Sequence, residues 1–192
     1  MTLQVKISKK LVPYKTAFSL LKKRVELIKK SKGKELVWIL EHPITFTSGI
    51  RSKESEILDK RIKIIQTNRG GKITLHSPGQ KIVYFVLNLN KRKRDIKNLV
   101  KQIELSIIDF LKLYRIKGYA DKKNIGIWVK DKKIAAIGIR VSNWVAYHGF
   151  SINISNDLKH YKKIIPCGLD NTKVTTAITE SKTKIPNIEN KL

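Results

Sequence analysis

The sequence predicts a mixed α/β (α+β) domain, a mixed β-sheet flanked by helices. Three observations carry this. Two long segments repeat apolar residues at three- and four-residue steps, two short apolar runs are rich in β-branched and aromatic residues, and residues 125–154 alternate strand-like runs with short polar turns.

The first helix is predicted over residues 14–30, where Phe18, Leu21, Val25 and Ile28 share one face and lysines fill the other. Residues 36–40 (LVWIL) form a short buried strand that Pro43 ends, and residues 81–89 (KIVYFVLNL) a second buried strand. The second helix runs from Asp95, an N-cap, to Gly118, a C-terminal stop, with Ile96, Leu99, Val100, Ile103, Ile107, Leu111 and Tyr114 on its stripe. Residues 125–129, 133–141 and 144–154 are strands of an antiparallel meander, separated by the turns Lys130-Asp131-Lys132 and Ser142-Asn143. This order of elements places the helices on one side of the sheet. Residues 171–192 are polar and weakly patterned, which predicts a short helix or a loose tail. No repeat and no linker composition interrupts the chain, so residues 1–192 read as one domain with its core at about residues 14–170.

The 192 residues are 41% hydrophobic, enough for one real core. No run approaches the roughly 20 apolar residues of a membrane helix, and the first residues, MTLQVKISKKLVPYK, lack the apolar core of a signal peptide. A single cysteine, Cys167, suits a reducing compartment. A soluble cytoplasmic protein without a membrane partner is the expectation. Lys plus Arg number 41 and Asp plus Glu 15, a net +26 that attracts polyanions or acidic proteins. Against nucleic acid stand the spread of the charge (Lys9-Lys10, Lys22-Lys23-Arg24, Lys91-Arg92-Lys93-Arg94, Lys162-Lys163) and the absence of aromatics interleaved with it. The joint abundance of Lys, Ile and Asn leaves a composition-driven surface as an even alternative to a selected electrostatic role.

Cys167 lies between Pro166 and Gly168. A lone thiol forms no intrachain disulfide, and without a histidine cluster it makes no zinc site, so packing or thiol chemistry remains. Taken alone, a free cysteine is more often a small buried hydrophobe. Residues 69–80 (RGGKITLHSPGQ) hold Gly70, Gly71 and Gly79, which let backbone approach a ligand, with Arg69 and His76 as donors; they equally suit two turns flanking a strand, and the P-loop spacing is absent. Lys133 heads the apolar run KIAAIG. Its common role is a solvated strand end; its sharper role is beside a thiol, where an ammonium favours the thiolate. Ala135, Ala136 and Gly138 leave room for a slender substrate. His148-Gly149-Phe150 is a third candidate segment. His42, His76, His148 and His160 have no metal-ligand spacing, so no metal is expected.

RGGKITLHSPGQKIVYF resembles the signature of the lipoyl(octanoyl) transferases, in which Arg-Gly-Gly, Thr, His, Pro-Gly-Gln and Tyr recur at this spacing. KIAAIGIRVSNWVAYHGFSINISNDL and IIPCG are similar to the family's second half in order and spacing, and EHPITFTSGIRS to its Glu-His-Pro segment. The resemblance runs from about residue 36 to 169. It implies the fold of biotin and lipoate protein ligases, and transfer of an octanoyl or lipoyl group from acyl carrier protein to a lysine of a lipoyl domain. The acceptors it implies are the E2 subunits of 2-oxoacid dehydrogenases and the glycine cleavage H protein. It also implies Cys167 as the nucleophile that carries the acyl thioester, and Lys133 as the lysine that lowers the thiol's pKa. The substrate-binding residues it implies are Arg69, Gly70, Gly71, Lys72, Ile73, Thr74, Leu75 and His76, then Ala136, Ile137 and Gly138, then Gly149, Phe150 and Ser151. No cofactor is implied, since the acyl group arrives on the carrier's phosphopantetheine, and a monomer is expected.

Leu75, Ser77 and Phe85 depart from the residues the family commonly has (aromatic, Gly and Pro) and are expected to alter pocket shape but not chemistry. The chain is also more basic than the resemblance implies. The rivals are an ATP-dependent lipoate or biotin ligase of the same fold, which needs an adenylation site and no Cys167; an octanoyl amidotransferase, against which the motif order stands; an inactive relative; and a basic nucleic-acid-binding module, supported by charge alone.

Overall fold

The computed structural model describes residues 3–121, 124–166 and 173–181. In chain order these form β1 (Leu3–Ile7), α1 (Tyr14–Lys29), β2 (Glu35–Leu40), β3 (Thr45–Ser48), β4 (Ile64–Gln66), β5 (Thr74–His76), β6 (Gln80–Asn88), α2 (Ile96–Lys112), β7 (Tyr119–Ala120), β8 (Ile127–Val129), β9 (Lys132–Ser142), β10 (Val145–Asn153) and α3 (Ala177–Glu180), with 3₁₀ turns at Glu54–Glu56, Leu89–Lys91 and Lys159–Lys163. A seven-stranded sheet has the order β1-β2-β6-β10-β9-β8-β7, and a three-stranded sheet the order β4-β3-β5. The large sheet is mixed: β1 lies parallel to β2 and the remaining pairs are antiparallel.

The helices flank the sheet on both faces, not on one side as the element order suggested. The cause is in the central strands, which are apolar on both faces and need two covers. Leu36, Trp38 and Leu40 of β2 and Ile82, Tyr84 and Val86 of β6 pack against Leu21, Val25 and Ile28 of α1. The opposite face, with Phe85 and Leu87 of β6, packs against Ile103, Ile107, Phe110 and Leu111 of α2. Ala177 of α3 belongs to this second core. The small sheet has a core of its own, Phe46, Ile73, Leu75, Tyr161 and Ile164.

The helix α2 begins as expected: the Asp95 side chain accepts from the Asn98 N–H at 2.9 Å. It stops well before Gly118. Arg115 takes φ 57°, and the Ile116 N–H returns to the Leu111 carbonyl at 3.1 Å, the wiring of a left-handed C-terminal cap built on arginine in place of glycine. The β9–β10 turn is Asn143-Trp144, one residue later than expected. Both have positive φ (49° and 59°), which is the two-residue hairpin geometry that matches strand twist.

One residue breaks the alternation of β10. Ala146, Phe150 and Ile152 face the α2 side, and His148 would follow them. Its φ of 69° instead turns the ring to the α1 side, where it stacks on Phe18 (centroids 5.5 Å apart) and Tyr147 (4.8 Å). Gly149 beside it is obligatory, because a Cβ there would sit 1.9 Å from the Val83 carbonyl oxygen. No helix among the described residues is long and apolar enough to cross a membrane.

Candidate active site

Strand register assembles two of the three predicted segments. β9 and β10 pair Ala136 with Ser151, Ile137 with Phe150 and Gly138 with Gly149. The third segment docks on this ladder. The Gly70 N–H donates to the Ile139 carbonyl at 3.1 Å, and a Cβ on Gly138 would come within 3.1 Å of the Gly70 oxygen, so small residues are needed at the crossing. Arg69 clamps the loop to the small sheet: its guanidinium donates to the Thr47 carbonyl (2.9 Å) and hydroxyl (3.0 Å) and to the Gly70 carbonyl (3.0 Å).

These contacts enclose a cavity with about 500 Å³ of empty space, counting its open mouth. Of the predicted substrate residues, Arg69, Gly71, Lys72, Thr74, His76, Ala136, Ile137, Gly138, Gly149, Phe150 and Ser151 line it. Gly70 lines a neighbouring groove instead. Ile73 and Leu75 do not face the cavity; they alternate to the other side of the small sheet and fill its core, 1% and 0% exposed. The expected effect of Leu75, Ser77 and Phe85 on pocket shape is corrected in the same way. None of the three lines the cavity, and Phe85 packs on the α2 face. Tyr14, Ile82, Tyr84 and His148 complete the lining. Tyr14, Ile82 and Tyr84 went unassigned in the sequence because only the packing of α1 on β6 brings them to the site, whereas His148 stood in the third candidate segment.

Lys133 is not a solvated strand end. It is 6% exposed, and it heads the stretch of β9 that enters the cavity. Its backbone is tied on both sides, the N–H to the Lys173 carbonyl (2.8 Å) and the carbonyl to the Thr175 N–H (3.0 Å). Its Nζ donates to the Ile125 carbonyl at 3.0 Å and lies 4.9 Å from the Trp128 ring centroid. The ammonium is therefore held by a neutral oxygen and a π-face. Lys133 opens into a second cavity with Ala135, Asn153, Tyr161, Pro166 and Val174, and this space shares Thr74, Ala136 and Ser151 with the first. Pro166 precedes Cys167 in the chain. Cys167, the predicted nucleophile, lies outside the described residues.

The α1 side of the cavity is a cluster of buried rings. Tyr14 lies 5.9 Å from His76 and 5.2 Å from His42, and His42 and His76 are 5.5 Å apart. Hydrogen bonds set the tautomers. His42 Nδ1 donates to the Val12 carbonyl, and its Nε2 accepts from the Tyr84 hydroxyl at 2.9 Å. His76 Nδ1 donates to Gln80 Oε1 (2.8 Å), since the Gln80 amide nitrogen is spent on Leu75, Asn153 and Tyr161. His148 Nε2 donates to Asn68 Oδ1 (2.8 Å), whose amide nitrogen donates to Tyr147. Desolvation lowers all three histidines, His42 to about 4 and His76 and His148 to about 3, with neighbouring Arg69 pressing the last two further down. The cluster is neutral at pH 7, so the cavity meets its ligand with uncharged rings on this side. Among the described residues no group of three or more His, Cys, Asp or Glu side chains could hold a metal ion.

Known proteins resemble this chain both in sequence and in fold. Residues 13–191 match the family of the lipoyl protein ligase A/B catalytic domain. An octanoyltransferase of Wolbachia sp. subsp. Brugia malayi is 43% identical over 185 residues, 94% of this chain and 90% of the relative. An octanoyltransferase of Bradyrhizobium diazoefficiens is 39% identical over 172 residues, 85% and 69% of the two chains. Among solved structures, lipoate-protein ligase A bound with ATP superposes with a TM-score of 0.75 at 15% identity, covering 99% of this chain and 82% of its own. The bipartite lipoate protein ligase of Thermoplasma acidophilum superposes at 0.73 with 16% identity, covering 99% and 80%. The structural likeness fixes the fold, the sequence likeness fixes the branch, and the chain belongs to the lipoyl protein ligase A/B catalytic-domain family, among its octanoyltransferases.

Proposed function

We propose that this chain transfers an octanoyl or lipoyl group from acyl carrier protein to a lysine of a lipoyl domain, through a thioester on Cys167. The observation that carries this is Lys133: a buried ammonium in a space bounded by Pro166, the neighbour of Cys167, and continuous with an apolar slot. Ile82, Ile137 and Phe150 give the slot the surface that an alkyl chain needs.

The thiolate of Cys167 attacks the donor thioester. The carbon–sulfur bond to the carrier's pantetheine breaks as the bond to Cys167 forms, and the departing thiolate takes a proton from Lys133. The acceptor's lysine amine then attacks the acyl-enzyme. Its proton returns to Lys133, and Cys167 leaves as thiolate. One thioester is exchanged for another and then for an amide. The second step is downhill, so neither ATP nor a cofactor enters. Acceptors are lipoyl domains such as those of 2-oxoacid dehydrogenase E2 subunits and the glycine cleavage H protein, and the reaction runs in the cytoplasm. The +26 charge steers acidic carrier domains to the enzyme, an attraction that weakens with salt.

Intact-protein mass spectrometry after brief exposure to octanoyl acyl carrier protein tests the mechanism. One octanoyl mass on the wild type, released by hydroxylamine and missing from Cys167→Ser, is expected. An unmodified wild-type protein that charges a lipoyl domain only when given free octanoate and ATP would overturn it in favour of a ligase.

A further inference from the structure

A groove beside the acyl slot shares Lys133 with the chemistry above, which uses no other part of it. It is lined by Arg51, Gly70, Lys72, Asn124, Lys133 and Ile137 among others, with about 940 Å³ of empty space counting its open side, and it joins the acyl slot along Gly71–Lys72 and Ala136–Gly138. Two of its features are chemical.

The first is an open sheet edge. β8 pairs with β9 only at Lys132, Lys133 and Ala135, so beyond that point the edge of β9 away from β10 has no strand beside it among the described residues. The Ile139 carbonyl faces outward, because it accepts from Gly70 N–H. In an antiparallel ladder alternate residues aim both backbone groups to the same side, so the Ile137 N–H and C=O also face the groove. Among the described residues one donor and one acceptor thus wait on a strand edge, the arrangement that recognises an extended amide chain.

The second is a cation at the mouth. The groove carries Arg51, Lys72 and Lys133 and no carboxylate in its lining. Lys72 is held by Glu56 at 2.7 Å and Lys133 by the Ile125 carbonyl. The exposed Arg51 side chain has no hydrogen bond or ion pair among the described residues, while its backbone N–H is anchored to the Gly71 carbonyl at 3.1 Å. An extended, amide-bearing chain with an anionic end fits both features.

We propose that this groove takes the phosphopantetheine arm of the acyl donor, with the Ile137 edge peptide on an amide of the arm and Arg51 on its phosphate. The inference rests on the acyl-transfer function proposed above. The arm then enters along β9, and its thioester reaches the junction of the two cavities next to Lys133.

The test compares S-octanoyl phosphopantetheine with S-octanoyl pantetheine as donors at low ionic strength, reading single-turnover acylation of the full-length protein by mass. The wild type favours the phosphorylated donor about fivefold, the worth of one charge-assisted contact near solvent. Arg51→Gln loses that preference, while Lys23→Gln, which removes an equal charge from the exposed face of α1, keeps it. Equal wild-type rates with the two donors, or a preference that survives Arg51→Gln or falls equally in Lys23→Gln, would overturn the groove assignment and leave the transferase intact. No acylation of the wild type by either donor or by octanoyl acyl carrier protein would instead overturn the acyl-transfer function itself.

Discussion

Lowering the pH should destabilise this protein through its three buried histidines. Rings neutral in the fold at pKa values of about 4 (His42) and 3 (His76 and His148) titrate near 6.5 once the chain is unfolded. Their folded values are depressed, so between those limits the unfolded state binds more protons, and stability falls as pH falls below about 6.5. From pH 7 to pH 5.5 each ring costs about 1.3 kcal/mol, and the three together about 4 kcal/mol. The folded rings stay neutral throughout this window, so the loss is governed by the unfolded values. Against a typical domain stability of about 5–15 kcal/mol this is a large loss. Urea denaturation at the two pH values and constant ionic strength measures it. His148→Asn keeps a residue that tolerates the positive φ and should remove about a third of the pH dependence. A loss under about 1 kcal/mol, or an unchanged slope in His148→Asn, would refute the electrostatic account of the cluster.

Three further outcomes follow from named contacts. Gly149→Ala puts a methyl 1.9 Å from the Val83 oxygen in the adjacent strand, and should cost at least about 3 kcal/mol in thermal or chemical denaturation. Ala136→Leu fills the strip shared by all three cavities; a drop in octanoyl loading of about tenfold or more, with the melting temperature held within a few degrees, is expected, and loading at wild-type rate would show that the chain lies elsewhere. Lys133→Met keeps the buried stem and removes the ammonium, and single-turnover acylation should slow about a hundredfold with the far-ultraviolet dichroism unchanged.

Legibility in the sequence followed element length and alternation. The helix α1 and the strands β2, β6, β9 and β10 stand where their apolar periodicity put them, because each buries a full face. β1 escaped notice: Leu3, Val5 and Ile7 are about half exposed or more, and the strand is held by its backbone pairing to β2. β3, β4 and β5 have three or four residues each, too few for a period of two to register. The same limit explains Leu75 on β5 and Ile73 just before it. On a three-residue strand, alternate residues necessarily leave the site, and motif spacing does not say which. The site's polar segments were legible because Arg69, the paired glycines and His76 do work that few other residues can. Tyr14 and Tyr84 were not, because an aromatic on an apolar stripe looks the same in a core as in a pocket wall.

The shortness of β8 ties these features together. A neighbour that began well before Ile127 would pair with β9 at Ile137 and close the groove; a shorter one would expose Lys133 to water. Proteins usually cover a strand edge, since unpaired peptide groups invite unwanted pairing. Among the described residues Gly70 covers it at Ile139, Trp128 and Ile127 cover it up to Ala135, and Ile137 stays open between them. The gap lies where the apolar slot, the lysine and the groove meet. A substrate arm that pairs there would cover the edge during the reaction and leave it open between turnovers.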